Sequence, residues 1–132
     1  ADGVHLGQND LPVDEARHLM LKPMIIGLST HNIEELEKAC QLNPTYIAIG
    51  PAFATNTKPN IKVAGLKYIK QAIKILEDKG IANVAIGGIN IENIEQLLEL
   101  GVKTVAVCSA VTDNSDPEAR CRVLKNMIDT HL

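Results

Sequence analysis

Val84-Ala85-Ile86-Gly87-Gly88-Ile89-Asn90 is a short apolar run that stops at two glycines, with Asn90 as the cap of a helix directly behind them. About twenty residues on, Val105-Ala106-Val107-Cys108-Ser109-Ala110 repeats the plan with small side chains. An apolar run of this length, closed by a turn and followed by helical periodicity, is a buried parallel strand feeding a crossover helix. Glycines let the backbone approach a ligand closely, and the first amides of a helix offer donors to an anion. The helix dipole adds only ~0.3 to 1 kcal/mol, so an anion requires amides from both turns. Gly87-Gly88 alone also fits a plain tight turn. The pair favours phosphate, because phosphate sites of β/α barrels recur after strands seven and eight.

Upstream, Gly3 to Gly7, Met24 to Ser29 and Tyr46 to Gly50 are three further runs of the same kind, and Asn83 to Gly87 and Thr104 to Ser109 complete a set of five. Helical segments follow them. Asn32 with Glu35 three positions on has the form of a capping box. Leu66, Ile69, Ile73 and Leu76 make one apolar stripe that ends at Gly80, and Ile91, Ile94, Leu97 and Leu98 make another that ends at Gly101. Asp116 caps the last helix, with Pro117 at its first position. The connection from Pro51 to Ala64 is long and polar, which in a compact α/β unit marks a functional or disordered loop. We expect a single α/β domain over residues 1–132. A (β/α)8 TIM barrel is preferred to an open doubly wound sheet, because the helices read as similar in length and Gly-rich turns recur at strand ends.

The 132 residues carry a net charge of −3, and no basic stripe is visible, which argues against a nucleic acid partner. Two Tyr, one Phe and no Trp leave the core to aliphatic residues, as suits buried parallel strands. Cys40, Cys108 and Cys121 are odd in number and lack metal spacing, which reads as a reducing, cytoplasmic setting. No run approaches the ~18 apolar residues of a membrane span. The chain begins at Ala1 within a strand approach, and an upstream part is expected.

Candidate chemistry clusters after the strands. Thr55, Asn56, Thr57 and Lys58 put hydroxyls and a cation in the long loop, although a solvated polar loop has the same composition. Asp10 follows the first strand, as a Mg²⁺ ligand shared with substrate phosphates or as the cap of a helix starting near Pro12. Ser29 and His31 end the second strand, as anion donors or as a turn and a cap. His5 reads as a satisfied core residue, and Cys108 as a small apolar filler whose backbone matters more than its thiol.

Taken together, Ala1-Asp2-Gly3-Val4-His5-Leu6-Gly7-Gln8-Asn9-Asp10, Gly27-Leu28-Ser29-Thr30-His31, the stretch Tyr46 to Lys58, Val84 to Ile89 and Ala106 to Val111 closely resemble the thiamine-phosphate synthases, in order and over essentially the whole chain. The resemblance implies a TIM barrel of which this chain covers about strands 4 to 8. It implies a Mg²⁺-dependent transferase that joins a hydroxymethylpyrimidine diphosphate to a thiazole phosphate, with loss of pyrophosphate before capture by the thiazole nitrogen. Carried over by position, Asp10 would bind Mg²⁺, and Ser29 and Lys58 would contact the pyrimidine diphosphate and act in catalysis. Thr55, Asn56 and Thr57 would contact the thiazole phosphate, whose phosphate would lie on Gly88, Cys108 and Ser109. The family's Asn-Asp pair and its Gln/Arg/Lys segment would lie upstream of Ala1, and Ala54 stands where Pro is common. The missing barrel strands would come from a longer chain or another segment, a homo-oligomer partner included. Two alternatives remain: a thiazole tautomerase using His31, and a non-catalytic phosphate-binding fragment. Partners are small molecules in the first two cases, with neither nucleic acid nor membrane involved.

Overall fold

A computed structural model of the chain describes residues 1–20, 22–55 and 60–131. Five strands appear where the five apolar runs lie: β1 (Gly3–Leu6), β2 (Ile25–Thr30), β3 (Tyr46–Ile49), β4 (Ala82–Ile86) and β5 (Val105–Ala106). They form one sheet in the order β1-β2-β3-β4-β5, and every pairing is parallel. Sequential order with right-handed crossovers places every connecting helix on the same face of the sheet. An open doubly wound sheet, which carries helices on both faces, is thereby excluded.

The helices are α1 (Val13–Leu19), α2 (Ile33–Gln41), α3 (Gly65–Lys79), α4 (Ile94–Leu98), α5 (Ser109–Thr112) and α6 (Pro117–His131). Their lengths run from 4 to 15 residues, so the similar helix lengths expected from the sequence are not found. The stripes are. Ile69, Ile73 and Leu76 of α3, and Ile94, Leu97 and Leu98 of α4, are buried against Ile26, Leu28, Ile47, Ile49 and Ala85 of the strands. Gly80 ends α3 in the left-handed region at φ 66° and its amide closes the last turn. Asp116 accepts the Ala119 amide at the start of α6.

Three local readings need correction. No helix directly follows Gly87-Gly88: Asn90 accepts the Glu92 amide through its side chain and the Asn93 and Ile94 amides through its carbonyl, a turn that delays α4 to Ile94. Asp10 does not cap α1, whose N-cap is Pro12; its Oδ2 accepts the Gly7 amide at 2.6 Å and closes the turn after β1. The capping box of α2 is half shifted. Asn32 accepts the Glu35 amide at 2.9 Å, but Glu35 reaches past the Asn32 amide to that of His31 at 2.8 Å.

Among the described residues, the other sheet face carries no helix. In register across it lie His5, Gly27 and Tyr46, then Ser29, Ala48 and Val84, then Ile86 and Ala106. Ile86 is 44% exposed there. Helices on one face and an uncovered opposite face are what a one-directional β/α winding produces. Among the described residues, no helix is long and apolar enough to cross a membrane.

Candidate functional site

At the carboxyl ends of β2 to β5 the uncovered face deepens into a cleft of about 230 Å³. Its walls include Ser29 and His31 from β2 and its end, Thr55 from the long loop, Gly87 and Gly88 after β4, and Cys108 and Ser109 after β5. Of the nine site residues expected from the sequence, five are therefore brought together: Ser29, Thr55, Gly88, Cys108 and Ser109. Asp10 lies outside the cleft lining, in the turn after β1. Asn56, Thr57 and Lys58 fall outside the described residues.

The long loop is anchored at its base. Pro51, joined to Gly50 by a cis peptide bond, accepts the amides of Ala64 and Gly65 at 3.0 and 3.3 Å, tying the end of β3 to the start of α3. The loop then runs along the end of β4, where Ala52 donates to Ile86 and Phe53 to Gly87. This contact explains the two glycines. A Cβ on Gly87 would lie 2.4 Å from Pro51 Cβ, and one on Gly88 would lie 2.3 Å from the Ala54 carbonyl; both residues also have positive φ, 98° and 64°. What approaches them closely is the neighbouring loop, and the cleft floor follows from that fit.

At the β5 turn, Ser109 opens the four-residue α5, so its amide and that of Ala110 are first-turn donors with no partner inside the helix. Cys108 is exposed and lines the cleft, so it does not fill the core as its size suggested; its carbonyl accepts the Val111 and Thr112 amides.

At the β2 side, Ser29 lies within the strand and forms neither turn nor cap. Its Oγ is 2.8 Å from His5 Nε2, while His5 Nδ1 is 2.9 Å from Tyr46 Oη. His5 is exposed on the uncovered face, contrary to the core position read from the sequence. Partial burial lowers its pKa, and the Asp10 carboxylate partly offsets that. Gln8 donates to the Ser29 carbonyl at 2.7 Å and holds the β1 turn to β2. His31 Nδ1 is 2.7 Å from Glu35 Oε2, which orients the ring at the cleft edge. Beneath, buried Thr30 donates to the Ala48 carbonyl and accepts from Tyr68 Oη at 2.7 Å, pinning α3 to the sheet. Gln8 and Tyr46 were given no role from the sequence, while Glu35 was read only as half of a capping box and His5 only as a core residue. The available signal was Gly27, a glycine inside a strand, which marks a close approach of neighbours.

Among the described residues, no group of three His, Cys, Asp or Glu side chains is placed to hold a metal ion. One carboxylate is nevertheless what Mg²⁺ uses when substrate phosphates supply other ligands. Asp10 fits that donor chemistry.

A one-directional parallel β/α sheet with a cleft at the carboxyl ends of its strands defines an α/β protein of the kind that places ligands at strand ends. More particularly, the chain belongs to the thiamine monophosphate synthase family, whose model matches residues 1–111. It is 44% identical over 124 residues to a thiamine-phosphate synthase of Synechococcus sp. (strain CC9311), covering 94% of this chain and 34% of that protein. It is 38% identical over 130 residues to the thiamine-phosphate synthase of Halalkalibacterium halodurans, covering 98% and 60%. Its fold superposes on a thiamine phosphate pyrophosphorylase from Pyrococcus furiosus with a TM-score of 0.87 at 32% identity, covering all of this chain and 61% of that one. The chain thus spans between about a third and three fifths of the length of these relatives.

Proposed function

We propose that the protein is a thiamine-phosphate synthase, joining 4-amino-2-methyl-5-(diphosphooxymethyl)pyrimidine to a thiazole phosphate to give thiamine phosphate and pyrophosphate. The observation that carries this is the convergence of Ser29, Thr55, Gly88, Cys108 and Ser109 on one strand-end cleft. The C–O bond between the pyrimidine methylene and the diphosphate breaks first, and the thiazole nitrogen then forms the new C–N bond. Little acid–base help is needed. The protein must hold two substrates in line and stabilise charge on the leaving group.

In this scheme the amides around Gly88, Cys108 and Ser109 take the thiazole phosphate, with Thr55, Asn56 and Thr57 along the same substrate. Ser29 and Lys58 take the diphosphate as donor and cation. Asp10 would be the residue that holds Mg²⁺, which when bound would supply charge stabilisation to the pyrophosphate leaving group. The uncovered sheet face and one-directional winding support reading β1 to β5 as strands 4 to 8 of a (β/α)8 barrel, and the odd, widely spaced Cys40, Cys108 and Cys121 favour a reducing, cytoplasmic setting.

Incubation with both substrates and Mg²⁺ is expected to yield thiamine phosphate, detected by its oxidation to a fluorescent thiochrome. Chelation of the metal abolishes the reaction, and Asp10→Asn raises the Mg²⁺ concentration that gives half-maximal rate. The His31–Glu35 pair at the cleft edge favours a second reading, a tautomerase acting on the thiazole alone. Thiazole isomerisation with no coupled product would establish that reading in place of the first.

A further inference from the structure

Gly27 lies between His5 and Tyr46 in the register of the sheet, on its uncovered face. A Cβ there would lie 2.2 Å from Tyr46 Cζ and 2.5 Å from His5 Nδ1. Only glycine lets the two side chains meet across β2, where their rings stand 5.5 Å apart, centre to centre. The result is a three-residue chain drawn from three strands: Tyr46 Oη to His5 Nδ1 at 2.9 Å, and His5 Nε2 to Ser29 Oγ at 2.8 Å. Ser29 is the member that lines the cleft.

A neutral imidazole has one N–H, and its hydrogen bonds decide which nitrogen carries it. A phenol is a more acidic donor than an aliphatic hydroxyl, so Tyr46 donates to Nδ1 and the proton resides on Nε2. Nε2–H then donates to Ser29 Oγ, which leaves the serine hydroxyl hydrogen to point elsewhere. We infer that His5 and Tyr46 are positioning residues that hold Ser29 as a hydrogen-bond donor to a diphosphate in the cleft. The inference rests on the synthase reading for the identity of the ligand. The opposite tautomer would use the serine hydrogen on His5 and present lone pairs to the anion, which repels it.

The test uses the protein as encoded by its natural gene, with inorganic pyrophosphate and the pyrimidine diphosphate as probes. His5→Ala and Ser29→Ala each weaken pyrophosphate binding, read by calorimetry, by about tenfold, the worth of one hydrogen bond to a charged group. His5→Ala adds nothing in the Ser29→Ala background, the non-additivity of groups that act as one. His5→Gln, whose amide retains a donor, recovers part of the loss. In steady-state kinetics the penalty falls on the pyrimidine diphosphate, while KM for the thiazole phosphate is unchanged. Long-range nitrogen–proton NMR on the unliganded protein shows His5 protonated at Nε2, and Tyr46→Phe mixes the tautomers.

Independent, multiplying losses from His5→Ala and Ser29→Ala would overturn the inference, as would an Nδ1–H tautomer in the wild type. A purely structural role lowers Tm and leaves the two effects additive. If the wild type forms no thiamine phosphate, the synthase reading falls, while pyrophosphate binding and the tautomer still decide this one.

Discussion

The glycines after β4 show how one residue type shapes a site by making room for the neighbouring loop. Gly88→Ala combines positive φ with a Cβ 2.3 Å from the Ala54 carbonyl, so the loop must shift. It is expected to cost more than ~1 kcal/mol, where the same change at an unstrained glycine stabilises, and is seen as a lower urea midpoint. Tyr68 supplies a pH-dependent case. Burial pushes its hydroxyl up to about 12 from 10.0, partly offset by its bond to Thr30. A raised pKa means the folded state holds the proton longer, so this stabilisation is complete below pH 10 and is lost as pH rises through about 12. Tyr68→Phe flattens that alkaline difference relative to wild type and costs about 1 kcal/mol at pH 7 through the bond lost to Thr30. The check is urea denaturation of both proteins at pH 7 and across pH 9 to 11.5. At this scale the sequence revealed residue types at strand ends. His5 was misassigned because alternation along four residues of β1 does not say which face is covered.

At the scale of elements, apolar runs and caps located the strands and the long helices correctly. Asn32 caps α2 and accepts the Glu35 amide; Asn32→Ala is expected to cost about 1 kcal/mol. Leu76 of α3 is fully buried, and Leu76→Ala is expected to cost ~2–5 kcal/mol by removing methyl groups and leaving a cavity. Thermal denaturation distinguishes the two by size. The delay of α4 to Ile94 escaped the sequence because the Asn90 and Asn93 side chains capture turn amides that a helix would otherwise have used. Asp10 was read as a Mg²⁺ ligand or a helix cap; instead of capping, it accepts the Gly7 amide three residues back, a turn bond that the sequence reading did not offer.

For the whole molecule, the decisive fact is a sheet covered on one face. Val84 lies on the uncovered face, in register with Ala48. If β1 to β5 close into a barrel with further strands, Val84→Lys buries a charge among packed interior side chains, at a cost of several kcal/mol. In a polypeptide of residues 1–132 alone the same lysine meets water and costs little. Urea denaturation of the variant in both contexts decides: equal losses would sink the barrel reading.

Local sequence determined the five strands, the capped helices and the family motifs, because hydrophobic period, cap chemistry and turn residues act over a few positions along the chain. Tertiary structure alone decided which sheet face stays bare, that Gly87 and Gly88 make room for Pro51 and Ala54, and that Tyr46, His5 and Ser29 join across Gly27. Those contacts depend on strand register and winding, which bring together residues up to 41 positions apart. No local pattern encodes such a meeting.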